Sequence, residues 1–155
     1  MDKLHKISLS TGSRSQFLDI TGRVQEIISR EKVADGLALV WVPHTTAGLT
    51  INENADPDVV RDILISLDKR FPWEDHYAHS EGNSAAHIKS SLMGCEKTLI
   101  VKDGRMGHGN LAGTVFLRVR WAQEKGGLGE AGGGIRKREL NIQLPFSPES
   151  LRGLL

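Results

Sequence analysis

The hydrophobic pattern begins at residues 4–9, where apolar and polar side chains alternate. A period of two residues is typical of a half-buried strand, and we place His5 on its polar, exposed face. A continuous apolar run follows at residues 37–42, and a run of this length predicts a central strand covered on both faces. Pro43 ends the strand because proline has no N–H for the ladder. His44 is therefore expected at the tip of a core strand.

Three other segments carry apolar residues at helical spacing, each after a residue that favours a helix start. Thr21 is the predicted N-cap of the first helix. Asp56 and Pro57 are the predicted N-cap and first residue of the second helix. Asn83 is the predicted N-cap of a third helix over residues 84–93. The side chains predicted to face inward are Val24, Ile27 and Ile28 in the first helix, Val60, Ile63, Leu64 and Leu67 in the second, and Ile88 and Leu92 in the third.

The second half of the chain is predicted to be rich in strands. Residues 97–101 form one strand, and the Asp103-Gly104-Arg105 sequence indicates a tight turn after it. Residues 114–121 and 138–144 alternate apolar and polar positions. We interpret these two segments as one antiparallel hairpin, connected by the glycine-rich stretch 126–134.

Composition narrows the class of protein. A chain of 155 residues is consistent with a single domain over residues 1–155. Its 20 basic and 19 acidic side chains leave a net charge of +1, which argues against a nucleic-acid partner. No apolar run reaches the roughly 20 residues of a membrane span, and the start does not read as a signal peptide. With one cysteine, Cys95, we expect a cytoplasmic protein without a membrane partner.

Two polar segments hold most of the side chains that can bind metals or phosphates. The first runs from His44 to residue 57, and the second has His79 and His87 eight positions apart. We interpret the segments as two halves of one site. Lys89 lies near the start of its predicted helix, where exposed N–H groups favour anions. Three acidic residues of the second helix are placed on its solvent face and assigned no chemistry, namely Asp58, Asp62 and Asp68.

Taken in order, five segments resemble the YjbQ-like family, whose members are called secondary thiamine-phosphate synthases. They are His44-Thr45-Thr46-Ala47-Gly48 and residues 52–58, 77–83, 86–94 and 103–105. The resemblance covers about residues 5 to 145. It implies an α+β fold with a mixed or antiparallel β-sandwich core and about three helices. It also implies a homotrimer with polar pockets between subunits, which joins a pyrimidine diphosphate to a thiazole phosphate and releases pyrophosphate.

The chain departs from the family pattern in two places. After the Gly-Arg turn the family has Leu-Gly-Thr-Trp-Gln, whereas this chain has His108-Gly109-Asn110-Leu111-Ala112. A short Asp-Gly-Pro-Arg turn of the family is replaced here by the glycine-rich stretch 126–134. The roles of the family tryptophan and glutamine therefore do not transfer to Leu111 and Ala112, and the role of His108 stays open.

The reaction implied by the resemblance requires positive charge opposite a leaving pyrophosphate, and it requires no protein nucleophile. The candidate catalytic residues are Lys89, Arg105 and Glu53. The candidate ligands of a small phosphorylated substrate are Asn52, Asn83 and Thr45. The candidate ligands of a divalent metal are His44, His79 and His87. Three imidazoles suit zinc or nickel better than calcium or magnesium, so zinc is the first choice, with nickel and magnesium left open.

Two other functions use the same residues. A metal-dependent hydrolase of a small phosphoester or amide would hold zinc with the three histidines and use Glu53 or Glu81 as base. A non-catalytic trimer would bind a small anion between its subunits. Retention of a metal separates the binder from both enzymes, and pyrophosphate release from the thiamine precursors then separates the enzymes from each other.

Overall fold

The structure is a computed structural model that describes residues 3–107, 112–119 and 136–146. His108 and the glycine-rich stretch 126–134 lie outside these residues. The described elements, in chain order, are β1 (Lys3–Thr11), β2 (Ser15–Asp19), α1 (Thr21–Arg30), β3 (Gly36–Trp41), β4 (Ala47–Glu53), α2 (Pro57–Arg70), α3 (Ser84–Met93), β5 (Glu96–Lys102), β6 (Arg105–Met106), β7 (Ala112–Val119) and β8 (Arg136–Phe146).

The strands form two antiparallel sheets. Sheet A has the order β1-β8-β3-β5-β6, and sheet B has the order β2-β7-β4. The predicted hairpin of β7 with β8 is therefore wrong, since β7 pairs with β2 and β4 while β8 pairs with β1 and β3. Alternation identifies a strand but contains no information about its partner, and here both strands pair with distant segments.

One hydrophobic cluster joins the two sheets and α1. Its fully buried members include Val24 and Ile28 of α1, Ala38 and Val40 of β3, Leu49 of β4 and Ile142 of β8. The predicted inward face of the first helix is confirmed, because Val24, Ile27 and Ile28 are its buried residues. Two sheets packed face to face with three helices also confirm the α+β class.

Sheet A is covered on one face only within the described chain. In β3 the side chains of Ala38 and Val40 are fully buried, while the residues between them are half-buried. Within the described residues sheet B packs on one side of this strand, so these residues do not supply the second cover that the sequence predicts. The apolar side chains of the outer face of sheet A are Leu4, Leu37, Leu39, Trp41 and Ile100, of which Leu4 is 50% and Ile100 is 62% exposed.

His5 is not the surface residue that the sequence predicts. It shares the buried face of β1 with Ile7, and its Nδ1 lies 3.2 Å from Nη2 of Arg30. Its Nε2 lies 3.7 Å from Oε1 of Glu31. The alternation was assigned to the wrong face because it starts at Leu4, which points outward.

A nearby carboxylate side chain marks the start of two helices, α1 and α2, although only the cap of α2 is the predicted one. Asp56 caps α2 as predicted, since its carboxylate accepts the N–H of Asp58 at 2.8 Å. For α1 the predicted cap, Thr21, is instead the first helical residue. Its N–H is accepted by Oδ1 of Asp19 at 2.8 Å, so a carboxylate two residues earlier replaces the expected hydroxyl.

The inward faces of α2 and α3 differ from the prediction. No residue of α2 is fully buried, although Leu64 and Leu67 pack against Ala86 in a small second cluster. In α3, Leu92 is 58% exposed and not inward. The buried side chains of α3 are small or polar, namely Ala85, Ala86, Lys89 and Ser90. The small side chains in this list, those of Ala85, Ala86 and Ser90, allow α3 to lie close to β4.

Gly48 is the point of closest approach between β4 and α3. A Cβ atom at this position would lie 2.7 Å from Cβ of Met93 and 3.0 Å from the carbonyl oxygens of Ser90 and Gly94. Gly48→Ala is therefore expected to lower the free energy of unfolding by about 2 kcal/mol through overpacking. Urea denaturation measures the loss. The matched control is Gly22→Ala in α1, where nothing lies within 4 Å of the added methyl group, and equal losses in both variants would contradict the packing explanation.

Candidate functional site

The start of α3 brings two of the predicted histidines together. His79 lies in the loop before the helix and His87 one turn inside it, and their ring centroids are 5.6 Å apart with an interplanar angle of 77°. Oε2 of Glu81 lies 3.7 Å from Nε2 of His79. The side chain of His79 is 44% exposed, so this pair can be reached from solvent.

Asn83 lies beside the histidine pair and precedes the first residue of α3. It occupies the N-cap position, but its side chain makes no capping hydrogen bond, which corrects the predicted role of its side chain. Its Nδ2 donates to Oε2 of Glu81 at 3.2 Å. Its Oδ1 is buried and has no hydrogen-bond partner among the described residues. A buried acceptor without a partner is costly, so this amide end is suited to a donor from a ligand.

The structure brings the two predicted halves of the site into contact. The hydroxyl of Ser90 in α3 lies within hydrogen-bond distance of the carbonyl oxygens of Thr45 and of His87. The N–H of Leu49 donates to the carbonyl of Gly94 at 2.9 Å. The loop that contains His44 therefore lies against α3 close to the turn that contains His87.

Within the part of the chain that the structure describes, the histidines do not form a complete metal site. Among the described residues, no three His, Cys, Asp or Glu side chains are arranged to bind one ion. Zinc sites in proteins use at least three protein ligands. His79 and His87 are suited by type and proximity to be two of them, so the described residues of a single chain do not fit a closed zinc site.

Arg105 lies far from the histidines within the chain. Gly36 pairs with Val101, and Lys102 pairs with Arg105 across a two-residue turn, so Arg105 lies beside the first residues of β3. His44 follows the other end of that strand. Six residues of strand separate these ends, which corresponds to about 20 Å. The exposed Arg105 side chain therefore does not join the histidine pair of its own chain.

The turn that carries Arg105 is held rigidly. Asp103 and Gly104 both have positive φ, 50° and 75°, as two-residue hairpin turns require. The Gln25 side chain donates from Nε2 to the carbonyl of Gly104 at 2.8 Å and accepts the N–H of Met106 at 3.1 Å. The predicted turn is therefore confirmed, and a helix side chain that sequence analysis did not select fixes the residues on both sides of Arg105.

Lys89 leaves α3 on a different side from His87. Side chains two positions apart on a helix do not face each other. The Lys89 side chain is only 1% exposed, and its ammonium forms an ion pair with Asp68 of α2. It also lies 4.8 Å from the ring centroid of Trp73. Lys89 is thus held between α2 and the loop after α2.

Asp68 and Trp73 are residues of this region that sequence analysis missed. Asp68 lies on an exposed face of its helix as predicted, but its carboxylate is the acceptor for the buried ammonium, a partner that sequence analysis did not assign. A signal was present in the sequence, since residue 68 follows Leu64 by four positions and so lies on the same side of the helix. Trp73 packs in the cluster with Leu64 and Leu67.

The remaining predicted residues lie elsewhere or act through their backbone. Asn52 and Glu53 end β4 and are therefore at the opposite end of that strand from the His44 loop. Oδ1 of Asn52 accepts the N–H of Glu53 at 2.8 Å. Thr45 is exposed, and its carbonyl is bound by Ser90. Among the described residues, no recorded contact joins any of these three side chains to the histidine pair.

Tyr77 is an ionisable group of this loop with a displaced pKa. Partial burial raises the pKa of its hydroxyl above the usual value, and the charge of Asp75 adds to the rise. The hydroxyl donates to the carbonyl of Pro72 at 3.1 Å. Tyr77 therefore stays protonated near neutral pH and does not act as a base.

Comparison with known protein families shows which family has this fold and these residues. A family model described as UPF0047 protein YjbQ-like matches residues 5–126. The chain belongs to this family. Among its UPF0047 relatives, protein MJ1081 of Methanocaldococcus jannaschii is 50% identical over 113 residues, covering 73% of this chain and 82% of that protein. Protein YugU of Bacillus subtilis is 44% identical over 114 residues, covering 73% and 86%.

Solved structures of the UPF0047 family agree with the fold. A family member from Clostridium acetobutylicum has a TM-score of 0.78 at 44% identity, and the match covers 89% of this chain and 97% of that one. Its description calls it an uncharacterized conserved protein. A protein of unknown function from Sulfolobus solfataricus has the same TM-score at 20% identity, which concerns the fold alone. Within the part of the UPF0047 chain described here, no helix is long and apolar enough to span a membrane.

Proposed function

We propose that this UPF0047 protein is a thiamine-phosphate synthase-like enzyme, which joins a pyrimidine diphosphate to a thiazole phosphate and releases pyrophosphate. The observation that supports this best is the convergence of His79, His87 and the unpartnered amide oxygen of Asn83 at the start of α3. The free N–H groups and the dipole at a helix N-terminus favour a phosphate there.

In the proposed reaction the thiazole nitrogen attacks the methylene carbon of the pyrimidine substrate. The carbon–oxygen bond to the diphosphate breaks, and its electron pair leaves with the pyrophosphate. The chain supplies no nucleophile in this step. Its contribution is to orient both substrates and to stabilise the charge that develops on the leaving group, for which Lys89 and Arg105 are the proposed residues.

A divalent ion is part of the proposal, with zinc as the first choice. His79 and His87 would be two of its ligands, and His44 is the proposed third, from the loop that Ser90 holds against α3. When bound, the ion would add positive charge opposite the leaving group. The described residues of one chain do not form a complete site for this ion.

We also propose that the working unit is a homotrimer with its sites between subunits. The number three comes from the family resemblance. Two features of the chain support a shared site. The outer face of sheet A leaves apolar side chains exposed, and such a face is suited to contact another copy. Arg105 lies about 20 Å of strand from His44 of its own chain, so the Arg105 that serves a given histidine pair would come from a neighbouring subunit.

The proposed metal site is tested by removing the histidine pair. Protein purified without chelators is expected to retain about one metal ion per chain by elemental analysis. His79→Ala combined with His87→Ala should lose the metal and form thiamine phosphate about 10²-fold more slowly. His76→Ala is the matched control, since this exposed histidine of the same loop is not among the proposed ligands. Wild-type protein without metal, or a double variant with full metal content, would contradict the proposed metal site.

A metal-dependent hydrolase is the second candidate, because the carboxylate of Glu81 lies next to His79 and could act as a base. The same preparations separate the two enzymes. Hydrolysis of a simple phosphoester without any thiamine phosphate formation would favour the hydrolase. Anion binding with neither activity would favour the non-catalytic binder.

A further inference from the structure

Strand β6 is too short to hold its own position firmly. It has two residues and lies at the edge of sheet A, where it pairs with β5 alone in the described structure. A strand of this length opens readily, because its ladder supplies few hydrogen bonds. The turn that carries Arg105 is therefore rigid only if groups outside the β5–β6 hairpin hold it.

Gln25 of α1 holds the turn with both ends of its side-chain amide. Its Nε2 donates to the carbonyl of Gly104 at 2.8 Å, and its Oε1 accepts the N–H of Met106 at 3.1 Å. These two backbone groups flank Arg105 on either side. The N–H of Gly104 also donates to the carbonyl of Ala34 at 2.7 Å, so α1 and the loop after it fix the turn together.

The fixed turn presents the Arg105 side chain to the outside of the chain. Met106 and its pair Val101 are buried, so alternation along β6 places Arg105 on the outer side of sheet A. The side chain is exposed, and among the described residues its guanidinium makes no hydrogen bond or ion pair. Holding the backbone in place lowers the entropy cost when such a guanidinium binds an anion.

We propose that Gln25 is a positioning residue for Arg105, which holds the turn so that the guanidinium meets the pyrophosphate in the site of a neighbouring subunit. Gln25 acts through the backbone of the turn, and Arg105 supplies the charge that contacts the anion. Without the two bonds from Gln25 the turn samples more conformations, so anion binding costs more entropy. The inference rests on the proposed function, which assigns Arg105 to the leaving pyrophosphate.

The test is a double-mutant cycle for pyrophosphate affinity, measured by isothermal titration calorimetry on the protein as purified. Gln25→Met keeps the length and helix propensity of the side chain but removes both hydrogen bonds. It should weaken pyrophosphate binding about 5-fold, and Arg105→Ala should weaken it about 10-fold. The double variant should bind as Arg105→Ala does, to within about 2-fold, because Gln25 then has no guanidinium to position.

Hydrogen exchange at the Met106 amide tests the contact itself. This N–H should exchange about 10-fold faster in Gln25→Met than in wild type, whereas Arg105→Ala should leave its exchange unchanged. Gln25→Glu keeps the acceptor for this N–H and loses the donor to Gly104, so it should weaken pyrophosphate binding at least as much as Gln25→Met.

Ser29→Ala is the matched control on the same helix. It removes the 3.2 Å contact of Gln25 with the Ser29 hydroxyl and leaves both bonds to the turn in place. This variant should change the affinity for pyrophosphate by less than about 2-fold. A loss equal to that of Gln25→Met would place the effect in α1 and overturn the proposal.

Other results would also overturn it. An unchanged affinity or an unchanged Met106 exchange rate in Gln25→Met would show that the two bonds do not fix the turn. Equal losses from Gln25→Met in the presence and absence of Arg105 would show a general structural role. Wild-type protein that binds no pyrophosphate, or binds it equally well after Arg105→Ala, would leave Gln25 without a ligand contact to position.

The positioning role and the proposed reaction fail separately. A protein that shows the full cycle for pyrophosphate binding but forms no thiamine phosphate would retain the role of Gln25 and remove the reaction. A protein that forms thiamine phosphate with the same kcat in Gln25→Met as in wild type would remove the role of Gln25 alone.

Discussion

Replacement of Asp68 with alanine is expected to lower the free energy of unfolding by about 3 kcal/mol, although this residue is half exposed on a helix. The reason is the charge left behind. The Lys89 ammonium is buried, and without the carboxylate it loses the counter-charge and the acceptor that Asp68 supplies. This loss of stability is at the low end of the range for breaking a buried ion pair, because water can reach the position that the carboxylate leaves. Urea denaturation at fixed pH measures the loss.

Two further variants identify the cause of this loss. Asp62→Ala on the same helix should change the stability by no more than about 0.5 kcal/mol, as exposed substitutions usually do. The double variant Asp68→Ala with Lys89→Met should recover most of the lost stability, because an apolar side chain of similar length fills the site without a charge. A double variant as unstable as Asp68→Ala alone would show that the ion pair is not responsible.

Mixing two inactive variants is expected to restore thiamine phosphate formation. His87→Ala and Arg105→Ala should each reduce turnover by about 10²-fold, by analogy with the loss of one charge-stabilising group. If each site takes His87 from one chain and Arg105 from its neighbour, equal mixing after unfolding gives both native residues in about a quarter of the sites. The refolded mixture should therefore reach about a quarter of the wild-type rate, measured by product formation.

Light scattering at micromolar protein accompanies the mixing experiment. A mass near that of one 17.0 kDa chain would remove both the trimer and the shared site. Each variant refolded with itself is the control and should stay inactive. A trimer in which mixing restores nothing would place His87 and Arg105 in separate functions, or the site within a single chain.

Local chemistry explains which parts of the fold could be predicted from the sequence. The cap at Asp56, the extent of the third helix over residues 84–93 and the Asp103-Gly104 turn each depend on a few neighbouring residues, and all three are present. The partners of β7 and β8 depend on strands far away in the chain, so alternation could not supply them. The half-buried outer face of β3 was missed for the same reason, because an apolar run contains no information about which segment covers it.

The candidate site was predictable only where its residues are close in the sequence. His79 and His87 flank one helix start, and the structure places them in ring contact. Arg105 was grouped with them through a site shared between subunits, and the antiparallel pairing of β3 with β5 places it at the other end of sheet A from the His44 loop of its own chain. Lys89 was predicted to bind an anion near the start of α3, but the helical rotation over two positions turns it away from His87 and toward Asp68.

The position of β8 between β1 and β3 has a consequence for how the protein is made. This strand pairs residue 3 with residue 144, so sheet A depends on contacts between segments that are far apart in the chain. Such non-local topology slows folding, because a large loop must close before the contacts form. Until residue 146 has left the ribosome, the edges of β1 and β3 that face β8 are unpaired and can bind strands of other nascent chains. The yield of native protein in a cell thus depends on how these two edges are protected during translation, as well as on the stability of the finished fold.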